Sequence, residues 1–152
     1  MIAKKSPLVL KNFFLLKHHY KFIDPTDTTT TVEIVDQYSI DIDFALLKAN
    51  DDLFQLFTKI DVNNIESPLP GYKLFCEGVC FFSFEKGVEL SEEDKNSLLH
   101  ISGISICINS LRNILATITS NGPFGKYSLP TIDVNQLLSD KKEVIEKANQ
   151  AK

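Results

Sequence analysis

Along the first half of the chain apolar and polar positions follow the period of a β-strand, and after Ser91 the period becomes helical. Leu8 to Phe22 is a Phe- and Leu-rich run. Its even positions include Leu8, Leu10, Phe14, Leu16, Tyr20 and Phe22, while the odd positions add Val9, Phe13 and Leu15 before turning basic at Lys17 and Lys21. Both faces are therefore apolar at first, as expected of a strand covered on both sides or paired across a subunit boundary. Asp24-Pro25-Thr26-Asp27 and the threonines that follow, including the short tract Thr28 to Thr31, predict a polar connection. Val32 to Leu47 predicts a half-buried antiparallel strand, with Tyr38, Ile40, Ile42, Phe44 and Leu46 inward and Ser39, Asp41 and Asp43 outward. After the turn Asn50-Asp51-Asp52, a third strand places Phe54, Leu56, Ile60 and Val62 inward, and the short spacing makes the two a hairpin.

Asn63 to Gly71 predicts a loop through its Asn-Asn, Ser-Pro and Pro-Gly pairs. A fourth strand, about Lys73 to Glu85, has an even face of Leu74, Cys76, Gly78, Cys80, Phe82 and Phe84, and Phe75, Val79 and Phe81 on the odd face. Ser91-Glu92-Glu93-Asp94 has the character of a helix N-cap with acidic residues in the first turn. Ile104, Ile108, Leu111, Leu115 and Ile118 make one stripe of a helix from about Ile104 to Thr119, ended by Asn121-Gly122-Pro123. Phe124 to Pro130 predicts a loop exposing Phe124, Tyr127 and Leu129. A last helix runs from about Asp133 to the end, charged beyond Asp140 and expected to fray there. The architecture expected is α+β in one domain, residues 1–152: a four-stranded antiparallel sheet followed by two helices.

Composition narrows the function. The chain has 152 residues, enough to bury a core without metal or disulfide staples. A formal charge of −4 argues against a nucleic-acid surface. Cys76, Cys80 and Cys107 all lie in apolar segments and read as small buried hydrophobes in a reducing compartment. On an extended strand Cys76 and Cys80 stand ~13 Å apart, too far for a zinc half-site. The N-terminal Met-Ile-Ala-Lys-Lys-Ser-Pro lacks a signal-peptide pattern, and Ile101 to Ile118 is interrupted by Asn109, Arg112 and Asn113, against a membrane span; a cytoplasmic protein is expected.

Catalytic patterns do not assemble. His18 and His19 point to opposite faces of a strand, and His100 has no carboxylate three or four residues on. There is no Gly-x-Ser-x-Gly turn, Walker loop or dinucleotide fingerprint, so no enzyme activity, cofactor or metal is expected. Asp41 and Asp43 share one strand face, which a solvated surface explains. What remains is surplus apolar surface, with eleven Phe in a short chain.

The order of features resembles SecB, the bacterial preprotein-export chaperone, and its SecB-like relatives. The resemblance is carried by Leu53-Phe54-Gln55-Leu56-Phe57-Thr58-Lys59-Ile60-Asp61-Val62, and by Leu74-Phe75-Cys76-Glu77 followed by Phe82-Ser83-Phe84. Its most specific stretch is Asn109-Ser110-Leu111-Arg112-Asn113-Ile114-Leu115 leading to Thr119-Ser120-Asn121-Gly122-Pro123-Phe124, then Leu129-Pro130-Thr131-Ile132-Asp133-Val134. Ser6-Pro7-Leu8-Val9-Leu10-Lys11-Asn12 is similar to the opening of SecB-like proteins, and the likeness covers about residues 6 to 140. It implies a homotetrameric, ATP-independent holdase, a dimer of dimers in which Ile104, Ile108, Leu111 and Leu115 face other subunits. It also implies grooves that hold unfolded polypeptides, for which Phe13, Leu15, Leu47, Phe81, Phe124 and Tyr127 are the candidates. Glu77 occupies the position from which the family contacts SecA. Here Lys17, His18, His19 and Lys21 replace the acidic side chains of the family's first strand, and positive charge there repels a basic SecA tail. Three readings follow: a holdase of protein export and translocation, a dedicated chaperone of a toxin–antitoxin system, and a hotdog-like thioesterase.

Overall fold

The computed structural model describes residues 1–27 and 30–150; part of the threonine tract and the last two residues of the chain lie outside them. Four strands, β1 (Leu8–Ile23), β2 (Ile40–Asn50), β3 (Leu53–Val62) and β4 (Gly71–Phe84), form one antiparallel sheet in the order β1-β4-β3-β2. The expected α+β order is found, with a helical half after the sheet. β2 and β3 form the expected hairpin, its turn fixed by the Asp52 N–H donating to Asn50 Oδ1 at 3.0 Å. β1 pairs with β4 rather than with its neighbour in sequence, so the chain crosses over the end of the sheet between Ile23 and Ile40.

That crossover corrects the second strand. Val32–Gln37 is a short 3-10 helix, not strand, and extended pairing starts only at Ile40. The cause is Tyr38, which turns into the core. Its hydroxyl donates to Pro70 O (2.9 Å) and accepts from Tyr72 N (2.8 Å), pinning the crossover to the start of β4. Next to it Asn63, at φ +56°, anchors the β3–β4 loop. Its amide nitrogen donates to Leu69 O and Tyr72 O, each at 2.8 Å, and its oxygen accepts from Leu69 N at 2.9 Å.

Ser91 caps α1 (Glu92–Ser97), its Oγ accepting from the Asp94 N–H at 3.1 Å. α1 continues through a π-helical stretch (Leu98–Gly103) into α2 (Ile104–Thr119), so His100 lies inside a continuous helix rather than at a boundary. This 28-residue helix is apolar and long enough by composition to cross a bilayer. Its stripe is instead buried against the sheet: Ile104, Cys107, Ile108, Leu111 and Leu115 join Leu56, Ile60, Leu74, Cys76, Cys80 and Phe82 in one core.

The connection after α2 is held by three side chains. Tyr72 Oη donates to Gly125 O (2.7 Å) and accepts from Phe124 N (2.9 Å), and Thr119 Oγ1 accepts from Tyr127 N (2.8 Å). Arg112 donates from Nε to Leu129 O (3.1 Å) and from Nη2 to Pro130 O (3.0 Å). Gly122 is required by space: a Cβ there would lie 2.4 Å from Tyr72 Oη. Asp133 then caps α3 (Val134–Gln150), accepting from the N–H groups of Asn135 and Gln136. α3 remains helical through its charged part to Gln150.

Replacing Asn63 with Ala removes three hydrogen bonds, strands the Leu69 N–H and leaves an L-residue without side-chain support at positive φ. We expect a loss of about 3 kcal/mol in urea unfolding, against little change for the neighbouring exposed Asn64→Ala. A loss below about 0.5 kcal/mol contradicts this role.

Candidate polypeptide-binding surfaces

The register of the strands assigns each side chain to a face. On β1 the register against β4 shifts between Leu10 and Asn12 and again between Leu15 and Lys17. Each extra residue moves the alternation to the other parity. The helix-covered face of β1 therefore carries Leu8 and Leu10, then Phe13 and Leu15, then His18, Tyr20 and Phe22, opposite even-numbered β4 residues throughout. Phe14, Lys17 and His19 lie on the other face, opposite Val79, Glu77 and Phe75.

The six expected groove residues do not come together. Phe13 and Leu15 lie on the helix side of β1; the Phe13 ring packs over Gly78 so closely that a Cβ there would sit 2.7 Å from it. Leu47 and Phe81 lie on the helix-free face, in one cross-strand row with Asn12 and Gln55. Phe124 is half-buried, its ring edge-on to Phe22 with centroids 5.3 Å apart. Tyr127 is corrected: it is only 3% exposed, beside Tyr38 in the core, and Leu129 is buried with it. The anchoring of this loop by Thr119 and Arg112 is the reason both turn inward.

The implied subunit-facing residues are corrected in the same way. Ile104, Ile108, Leu111 and Leu115 are at most 2% exposed within the single chain, because they form the stripe that packs on its own sheet.

Among the described residues, two apolar surfaces of the sheet stay open. The first is the outer edge of the sheet along β1, which pairs on one side only. Leu10 and Leu15 are 41% and 37% exposed beside the helix layer, and Leu16, the residue inserted at the second bulge, is 51% exposed. Phe22 and Phe124 close one end of this strip. The second surface is the helix-free face. One row across it reads Phe14, Val79, Phe57, Ala45, and the next reads Lys17, Glu77, Lys59, Asp43. Phe14 stacks edge-on with Phe81 at 5.6 Å, and Val79 is 3% exposed although it lies outside the main core. Sequence reasoning missed Phe14 and Phe57, because only cross-strand register shows that they share a row. Glu77, the expected SecA-contacting residue, stands in register between Lys17 and Lys59, so a basic peptide arriving there meets two lysines.

Titratable groups offer little chemistry. Burial pushes the Cys76 thiol up to about 12, and Cys80 is raised chiefly by its hydrogen bond with Cys107 and then by burial. Among the described residues no group of three or more His, Cys, Asp and Glu side chains is placed to hold a metal ion. His100 is half-buried, with ring Nδ1 2.8 Å from Asn96 O. A shallow cleft between β2 and α3, about 360 Å³, is lined by Phe44, Leu46, His100, Leu138 and Ile145. Lys141 crosses nearby to donate to Asp43 Oδ1 at 2.5 Å and ties α3 to the sheet edge.

No family model and no curated protein matches the chain. Among solved structures, the fold is similar to that of a Mycobacterium tuberculosis SecB-like chaperone in complex with a ChAD peptide from the HigA1 antitoxin. The TM-score is 0.57 at 13% identity, covering 83% of this chain and 91% of that one. A Streptococcus agalactiae protein of unknown function aligns over 82% of this chain and 97% of its own at 7% identity and a TM-score of 0.44. The chain thus shares a SecB-like α+β fold, established by shape rather than by sequence.

The tie between α3 and the sheet predicts a pH response. Burial raises the Asp43 carboxyl, but the Lys141 hydrogen bond, the Phe44 N–H and the charges of Lys141 and Lys59 outweigh it and hold the group below its ordinary 3.8. A carboxylate with a depressed folded value contributes stability that is present above 3.8 and lost as pH falls through the folded value. Asp43→Asn should reproduce that loss at neutral pH: amide exchange within residues 134–150 accelerates several-fold while the strands are unchanged. Equal exchange in both proteins contradicts the tie.

Proposed function

We propose that this protein is an ATP-independent holdase of the cytoplasm that keeps unfolded polypeptides extended along the β1 edge. The observation that carries this reading is a 16-residue edge strand, paired on one side only, with Leu10, Leu15 and Leu16 exposed along it. Soluble proteins normally guard such an edge, since its free N–H and C=O groups recruit extended chains. Here the guard is partial: two bulges and the lysines Lys11, Lys17 and Lys21 interrupt the edge but leave its leucines open.

The energetics suit reversible holding. Leu10, Leu15 and Leu16 are about half exposed, so burying the remainder of each contributes ~1 kcal/mol, and ordering each client residue costs ~1–2 kcal/mol. The sum leaves weak binding that depends on apolar area and backbone pairing rather than on a particular client sequence. No nucleotide is needed for such a cycle of capture and release.

A dedicated antitoxin chaperone is the second reading, supported by the fold shared with a SecB-like protein that was solved with an antitoxin peptide. The lysines on either side of Glu77 favour it over SecA-coupled export. A thioesterase would need an acid or histidine at a subunit interface, and turnover of acyl thioesters would identify one.

Aggregation of several unrelated, chemically unfolded clients tests the proposal. We expect the wild-type protein to suppress aggregation of most of them, and Leu10→Asp plus Leu15→Asp to weaken protection at least fivefold with the folded-state spectrum unchanged, since both side chains are exposed. Val144→Asp, at a more exposed apolar position on α3, should protect like wild type. Equal protection by wild type and the β1 double variant removes the edge from the account; protection of a single client favours the dedicated reading. Tyr127 is unsuitable for such a test because its substitution opens the core.

A further inference from the structure

We propose, building on the holdase reading of this edge, that the clients held along β1 are acidic as well as apolar. They are extended segments that alternate apolar residues with Asp or Glu, the carboxylates lying against Lys17 and Lys21.

Charge is segregated along the chain. Before Asp24 there are five lysines, Lys4, Lys5, Lys11, Lys17 and Lys21, and no Asp or Glu. The rest of the chain carries eleven Lys and Arg against twenty Asp and Glu. An acidic protein thus presents one basic strand, and it is the strand paired on one side only. All five lysines are exposed, and among the described residues none of them forms an ion pair.

Beyond the second bulge Lys17, His19 and Lys21 follow at every second residue on the helix-free face, opposite Glu77, Phe75 and Lys73. His18, Tyr20 and Phe22 alternate with them on the helix side. Lys17 is held on the helix-free face, its Nζ 5.5 Å from the centre of the Phe75 ring. Lys21 and Lys73 stand directly opposite one another, a like-charge cross-strand pair that is unfavourable until an anion lies beside it. A cleft of about 400 Å³ at this place is lined in part by Lys17, His19, Lys73 and Phe75, with Asp61 and Asn64 toward β3.

A chain added to the edge sets one residue beside each of these positions at ~4.8 Å strand spacing. Its helix-side residues meet Tyr20 and Phe22, which favour apolar side chains. Its other residues meet Lys17, His19 and Lys21, which favour carboxylates. Glu77 is the acid in register with this stripe, but it stands inward of Lys17 and has Lys59 on its other side. A client arriving at the edge meets the lysine first. A phosphate backbone would use the lysines yet leave the edge's peptide groups and Leu10, Leu15 and Leu16 without partners. The lysines that guard this edge against neutral chains therefore select a charge class rather than a sequence.

Fluorescence anisotropy with labelled peptides of equal length and leucine content tests the proposal. One peptide alternates leucine with glutamate, one with serine and one with lysine, and a fourth gathers its glutamates at one end. At ~0.1 M salt the alternating glutamate peptide should bind about tenfold tighter than the serine peptide and about threefold tighter than the gathered one. The lysine peptide should bind most weakly. Raising the salt to ~1 M, where the screening length falls to ~3 Å, should shrink the tenfold preference to about twofold. Lys17→Glu plus Lys21→Glu should place the lysine peptide above the glutamate peptide. Lys142→Glu plus Lys147→Glu, at exposed positions of α3, changes the net charge equally and should leave the order as in wild type. Equal affinity for all four peptides would overturn the acidic client class and leave the holdase reading standing. No binding of any peptide, the serine one included, would overturn both. An order unmoved by the β1 reversals, or a single-stranded oligonucleotide that competes more tightly than the glutamate peptide, would also overturn the proposal.

Discussion

The pairing of β1 with β4 governs the rest of the molecule. β4 is an inner strand whose even-numbered side chains carry the core under α2, and β1 closes one side of that core with Leu8, Phe13, Tyr20 and Phe22. A strand of 16 residues that stayed in strict alternation could not do this with its sequence, because its apolar positions change parity twice. The bulges at Lys11 and Leu16 absorb those changes. They keep the helix-facing side apolar and push Leu16 outward. Surplus apolar surface on this strand is thus a consequence of register, and the same register sets which leucines meet solvent and which rows form on the opposite face.

The second constraint is the polar clasp at the other end of the sheet. Tyr38, Asn63, Tyr72 and Thr119 hold the crossover, the β3–β4 loop and the turn after α2 to one another through side-chain to backbone hydrogen bonds. Arg112 extends the clasp to Leu129 and Pro130. Two of these residues, Thr119 and Arg112, lie in the stretches that carried the resemblance to SecB-like proteins, and their physical role is now apparent. Gly122 leaves room for the Tyr72 hydroxyl, and Arg112 satisfies carbonyls of the chain segment that leads to α3.

Much of the fold was legible in the sequence. The β2–β3 hairpin, the helix beginning at Ile104 and the capping serine at Ser91 follow from local pattern. The 3-10 segment Val32–Gln37 was not legible, since its apolar spacing mimics a strand and only Tyr38's distant hydrogen bonds reveal the bend. The site was less legible than the fold. Phe13 and Leu15 stand out in the sequence as apolar, but their face depends on bulges that leave no local signature beyond apolar residues at both parities. Tyr127 and Leu129 looked exposed because they sit in a loop, yet partners many residues away draw that loop into the core. The charged row of Lys17, Glu77, Lys59 and Asp43 draws one residue from each of four strands, which no linear pattern displays.

The central claim is that β1 offers an open edge to an extended foreign chain. Residue-resolved amide exchange along β1, with and without a saturating unfolded client peptide, tests it most directly. The account predicts that amides pointing away from β4 exchange fast in the free protein and slow at least tenfold when the peptide is bound, while amides bonded to β4 are protected in both states. Outward amides that are already protected in the free protein, or that stay fast with peptide bound, would contradict it.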